Sequence, residues 1–173
     1  MSALTSTLSC FVFVVCLVVD CARADWPQFR GVNSSGVAVG PSPPVEFEPG
    51  KNELWRLPLD DGHSSPCVVG DSIFLTTFKA DKKQLFVVCI DRVRGKIRWQ
   101  RQVRADKIER GHPSFNLASS TPASDGERVV AYFGSFGLVC FDVAGEKLWE
   151  RRMPLAKTFG GNAASPMIVG DRV

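Results

Sequence analysis

The sequence predicts an all-β chain, part of a β-propeller of four-stranded antiparallel blades, with about two and a half blades present. Three observations predict it. A phrase recurs: Ser65-Pro66-Cys67-Val68-Val69-Gly70-Asp71-Ser72-Ile73 returns as Thr121-Pro122-Ala123-Ser124-Asp125-Gly126-Glu127-Arg128-Val129 and as Ser165-Pro166-Met167-Ile168-Val169-Gly170-Asp171-Arg172-Val173. Its copies lie roughly 50 residues apart, the period of a repeat architecture. The stretches between copies break into short runs rich in Val, Ile, Phe and Thr, bounded by turn residues, with no sustained helical period. Trp55, Trp99 and Trp149 keep nearly the same period, one to each unit.

The elements follow in chain order. Residues 25–50 form a Pro- and Gly-rich lead, and residues 51–173 hold the repeats. Gly70-Asp71 is a turn before a strand over Ser72 to Phe78. Ala80 to Lys83 turns into a second strand over Gln84 to Ile90, and Arg94-Gly95 into a third over Lys96 to Val103. Leu85 to Ile90 and Leu138 to Phe141 are apolar at every position, so both faces of these strands must be covered, as when small sheets stack face to face. The strand carrying Trp99 alternates, with polar residues at the even positions and Ile97, Trp99 and Val103 between them, which describes an outer strand with one wet side. One blade is thus expected over about 66–103 and a second over about 122–153. A third begins at 166 and is interrupted, which makes the chain the N-terminal piece of a longer array.

Within each unit an Asp leads through a Gly turn to the Trp, as Asp91, Gly95 and Trp99 and again as Asp142, Gly145 and Trp149. The Asp can accept backbone N–H groups across the turn and the Gly supplies a positive φ. The indole then covers the neighbouring blade with a rigid apolar plate.

Residues 1–24 differ in kind. Leu8 to Val19 is almost unbroken apolar sequence, followed by Ala22-Arg23-Ala24, the order of a secretory signal peptide cleaved before Asp25. As a helix this run would rise only about 18 Å, short of the roughly 30 Å of a bilayer core, so it predicts no transmembrane anchor in the mature chain. The expected location is therefore exported, periplasmic or extracellular. Of six cysteines, Cys67, Cys89 and Cys140 remain after cleavage, without CxxC or His/Cys spacing, which predicts buried free thiols and neither a disulfide framework nor a zinc site. A net charge of +3 is too small to argue for nucleic acid as a partner, and aromatic residues do not interleave with the basic ones as base stacking requires.

The run Asp91-Arg92-Val93-Arg94-Gly95-Lys96-Ile97-Arg98-Trp99 resembles the tryptophan-docking repeat of the pyrroloquinoline-quinone (PQQ)-like β-propeller superfamily, and Asp25-Trp26-Pro27-Gln28-Phe29-Arg30-Gly31 is similar to the start of its exported bacterial members. Cys89 and Arg94 stand where the full repeat would have Ala and Thr, and the copy at Asp142 is one residue shorter. The resemblance implies blades locked by Asp91, Gly95, Trp99, Asp142, Gly145 and Trp149. It implies either a binding scaffold or a quinoprotein dehydrogenase, since both occur in the superfamily.

Chemistry is expected on the connections from each outer strand to the next inner strand, which gather at one face. Both histidines lie there, and the candidate ligand or partner residues are His63, Ser65, His112, Asn116, Ser120, Asn162 and Ser165. No catalytic residue and no metal site is assigned, because no third ligand has recognisable spacing with the histidines. No cofactor is evident; PQQ with calcium belongs only to the alternative of an alcohol or sugar dehydrogenase. A basic cluster from Arg92 to Arg110, with Arg98 and Arg104 on one strand face, predicts a positive stripe on the propeller rim. The favoured function is non-catalytic binding or scaffolding of a protein or small ligand through the inter-blade loops.

Overall fold

Residues 25–38, 40, 42–155 and 158–173 are described by the computed structural model, so the segment read as a signal peptide, with Cys10, Cys16 and Cys21, lies outside the described residues. The apolar runs form two four-stranded antiparallel sheets of simple meander order. The first holds β1 (Cys67–Val69), β2 (Ser72–Lys79), β3 (Gln84–Asp91) and β4 (Lys96–Val103); the second holds β5 (Ala123–Ser124), β6 (Arg128–Phe133), β7 (Gly137–Asp142) and β8 (Lys147–Arg152). The only helical pieces among the described residues are short 3-10 turns at Val32–Ser34 and Ala80–Lys82. No helix there is long and apolar enough to cross a membrane.

The two sheets stack face to face, which is what unbroken apolar strands demand. Phe74, Val87, Cys89 and Trp99 of one sheet share a core with Val129, Ala131, Val139 and Phe141 of the other. Trp99 sits between Phe74 and Phe141, with ring centroids 6.0 and 5.9 Å away. On blade one's other face Pro58 and Leu59 border a cleft together with Val88 and Ile97. The inner strands β1 and β5 adjoin.

Strict alternation on the outer strand is corrected by the structure. Cys89 pairs with Trp99 but Ile90 pairs with Ile97, so Arg98 is an extra residue in a β-bulge. The same bulge recurs at Leu148, between the pairs Cys140 with Trp149 and Phe141 with Lys147. The bulge kinks the strand just before the tryptophan and turns Ile97 onto the opposite face from Trp99, where it is 43% exposed. Alternation over Lys96 to Arg104 cannot reveal this, because one inserted residue reverses the facing of everything before it.

Docking is the same at successive junctions. The Trp99 indole N–H donates to the Val143 carbonyl at 2.9 Å, and a Cβ on Gly145 (φ +86°) would meet the Trp99 ring at 2.7 Å. Trp55 donates to the Arg92 carbonyl at 2.9 Å and lies over Gly95 (φ +62°), although its own segment is not a strand. Trp149 is 37% exposed. Asp91 Oδ1 accepts the backbone N–H groups of Val93 and Arg94 at 3.0 and 2.7 Å, and Asp142 Oδ1 accepts that of Glu146 at 2.8 Å. The shorter copy closes a tighter turn: Gly95 N–H reaches the carbonyl four residues back, Gly145 N–H the one three back.

The lead is a clasp across the inner strands. Trp26 pairs with Val68 of β1, Pro27 accepts the Ser124 N–H of β5 at 2.8 Å, and Ser34 reaches Met167 of the third repeat.

Candidate functional site

The recurring phrase lies on the loop face and carries its own hydrogen-bond chain. Ser65 N–H donates to Thr121 Oγ1 at 3.0 Å, and Thr121 N–H donates to Ser165 Oγ at 3.0 Å. Each residue before the repeated proline therefore satisfies its counterpart one repeat earlier. The acceptor in each link is a side-chain hydroxyl, carried by Thr121 and Ser165.

The other expected site residues are distributed along this face. His63 is exposed, and its backbone N–H donates to the Ala118 carbonyl at 3.0 Å. Asn116 Oδ1 accepts the Ala118 N–H at 2.8 Å, an Asx turn that folds the crossover back. Ser120 is buried, and its carbonyl accepts the Thr76 hydroxyl at 3.0 Å. Asn162 Nδ2 donates to the Tyr132 hydroxyl at 2.7 Å. His112 stands apart on an exposed loop, its Nδ1 2.7 Å from Ser114 Oγ and its ring 6.4 Å from that of Phe159. The face thus brings Ser65 and Ser165 together through Thr121, while no contact joins His63 to His112 among the described residues. Asn116, Asn162 and Ser165 are engaged through their side chains, Ser65 and Ser120 through their backbones.

Several cations of the basic cluster on the rim are engaged in local contacts. The bulge places Arg98 over Asp91, whose Oδ2 takes Arg98 Nη2 at 2.9 Å and Arg94 Nη1 at 3.0 Å. The Arg94 N–H and the Arg98 guanidinium hold the Asp91 carboxyl well below the usual carboxylate range. Arg92 caps the Gly70 carbonyl, and Arg101 donates to the Gly145 carbonyl at 2.7 Å from beside the Trp99 ring. These contacts hold turns together, and Arg104 follows the end of β4 as an exposed cation.

Sequence reasoning missed Glu109. It lies in the β4–β5 crossover, 4% exposed, and its backbone N–H donates to Ser135 Oγ at 3.0 Å. Neither carboxylate oxygen has a hydrogen-bond partner, and both press on Gly134, where a Cβ would come within 2.4 Å. Burial pushes its pKa up. The only sequence signal is a lone acid between Lys107 and Arg110 on a long loop, which nothing in periodicity marks as buried. Glu109 belongs to the wall of an open groove of about 1240 Å³ between the β2–β3 turn and the crossover, lined also by Phe78, Lys83, Lys107, Ile108, Arg110 and Leu117.

A quinone held over calcium needs several hard oxygen donors close together. Among the described residues no three His, Cys, Asp or Glu side chains gather closely enough to hold a metal ion. Cys67, Cys89 and Cys140 are free and buried; burial pushes the Cys67 thiol up to about 12 and that of Cys140 to about 11, which makes them inert.

Over residues 45–173 the chain matches the model of the family described as outer membrane protein assembly factor BamB. No curated protein matches it.

Proposed function

From the premise that the chain belongs to this BamB family of PQQ-like repeats, we propose that it is a non-catalytic binding or scaffold module that holds a protein partner on the loop face of its propeller blades and works outside the cytoplasm. The observation that supports this reading is the division of labour on that face. The small polar residues of the loops are engaged in joining blade to blade, while an open groove with an apolar floor lies beside them. Such a face offers complementarity and charge to a partner.

The test is site-specific photo-crosslinking in the producing cell. A photoreactive residue in place of Lys107, on the groove, is expected to give an adduct of discrete mass; one in place of Lys96, at the opposite end of the blade, gives none. Adding PQQ and Ca²⁺ to the purified chain checks the competing dehydrogenase reading. A bound-quinone absorbance with dye-linked oxidation of an alcohol or sugar would overturn the proposal.

A further inference from the structure

Resting on the reading of this chain as a binding module, the groove identifies the kind of partner. Its floor is apolar, since Phe78, Ile108 and Leu117 are half-buried and pack on the core cluster. Its rim is basic: Lys83, Lys107 and Arg110 line it, all three are exposed, and among the described residues none of them forms an ion pair. Two acids also belong to the groove, and neither offsets that charge. Asp106 is paired with Arg152 at 3.5 Å. Glu109 is sealed beneath the surface with both oxygens cut off from solvent, where burial favours its neutral form.

The occupant must therefore bring apolar groups to the centre and negative charge to the edge. At about 1240 Å³ the groove exceeds the roughly 300–1,000 Å³ of a small-molecule pocket, and a small anion would leave the floor uncovered. An anionic membrane surface is too broad to enter a concavity walled by the β2–β3 turn and the crossover. We infer that the groove docks an extended acidic peptide segment of a partner protein, with its aliphatic or aromatic side chains on Phe78, Ile108 and Leu117 and its carboxylates on Lys83, Lys107 and Arg110. The pairing is between exposed charges, so it is sensitive to salt.

The experiment titrates the purified chain, by fluorescence anisotropy, with a short fluorescein-labelled peptide alternating Glu and Leu. Binding is expected, weakening at least tenfold in about 1 M salt, where the Debye length falls to about 3 Å. Combining Lys83→Glu, Lys107→Glu and Arg110→Glu is expected to weaken it at least tenfold as well. Lys96→Glu leaves it unchanged, and a peptide alternating Lys and Leu does not bind. The three reversals are at exposed positions, and a circular-dichroism melt verifies that the variant is folded. Failure of the acidic peptide to bind, equal binding of both peptides, or binding that the folded triple variant retains overturns the assignment. So does tighter binding to phosphatidylglycerol vesicles that the peptide cannot displace. None of these results removes the binding-module reading, which falls on quinone-dependent turnover instead.

Discussion

Replacing Glu109 by Gln should stabilise the protein at neutral pH and leave it unchanged in acid. The carboxylate is enclosed, with neither oxygen hydrogen-bonded, so its ionised form is the least supported charge among the described residues. Leaving a buried polar group unsatisfied costs about 1–3 kcal/mol, more when it is charged, and the neutral amide of the same shape escapes the charged part of that cost. The sign follows from linkage. The folded-state pKa is raised by burial, so between the unfolded value of about 4.3 and the folded value the native state holds the extra proton, and stability falls as pH rises through that window. At pH 7.5 the Gln variant is expected to gain the charged part of that cost, about 1.4 kcal/mol for each tenfold by which burial tightens the native state's hold on the proton, and for a chain of this size each kcal/mol raises Tm by about 2–4 °C. At pH 4 the two proteins should melt together. The assay is a pair of thermal melts by circular dichroism at each pH. A variant equally destabilised at both would mean that the carboxylate has a partner in solution, and the argument from its isolation would be wrong.

Four further outcomes are expected. Gly145→Ala should cost more than Gly70→Ala in urea denaturation: both carry the left-handed backbone penalty of about 1–2 kcal/mol, but only the first drives a Cβ into the Trp99 ring. Thr121→Val should cost about 1–3 kcal/mol by orphaning the Ser65 N–H, while Thr121→Ser should be close to neutral, as read from urea midpoints. Asp91→Asn should lower the urea midpoint at pH 7 by more than at pH 3. The depressed pKa of Asp91 contributes stability that is present above the unfolded value of about 3.9 and lost as pH falls toward the folded one. Ellman's reagent should leave Cys67, Cys89 and Cys140 unmodified in the native protein and react with all three in denaturant.

The architecture was legible because its signals are repeated and local. Asp91 and Asp142, Gly95 and Gly145, and Trp99 and Trp149 occupy matching places in each unit, and apolar strands such as Leu85 to Ile90 state directly that both faces are covered. The bulge at Arg98 was not legible, since an inserted residue leaves composition intact and shows itself only in pairing. The loop face was legible as a region but not residue by residue. Ser65 and Ser165 share the type and position of ligand-binding loop residues, yet the Ser65 amide and the Ser165 hydroxyl both engage Thr121, and nothing in a linear string tells a hydroxyl aimed at a ligand from one aimed at the preceding repeat. Glu109 was hidden for a complementary reason. Its burial depends on Gly134 and Ser135, which belong to a hairpin of the following blade.

The hydroxyl chain has a direction, and that direction bears on how the polypeptide is made. In both observed links the amide belongs to the earlier repeat and the hydroxyl to the later one, and the indole of Trp99 likewise waits for Val143 and Gly145. A blade leaving the ribosome can complete its own hairpins, but its last bonds are supplied by sequence not yet translated. At about 5–20 residues per second, the interval between repeats is a delay of several seconds, during which the newest sheet exposes a bare apolar face. Protection of the nascent protein over that interval falls to whatever else binds such surfaces, and each blade is finished by its successor.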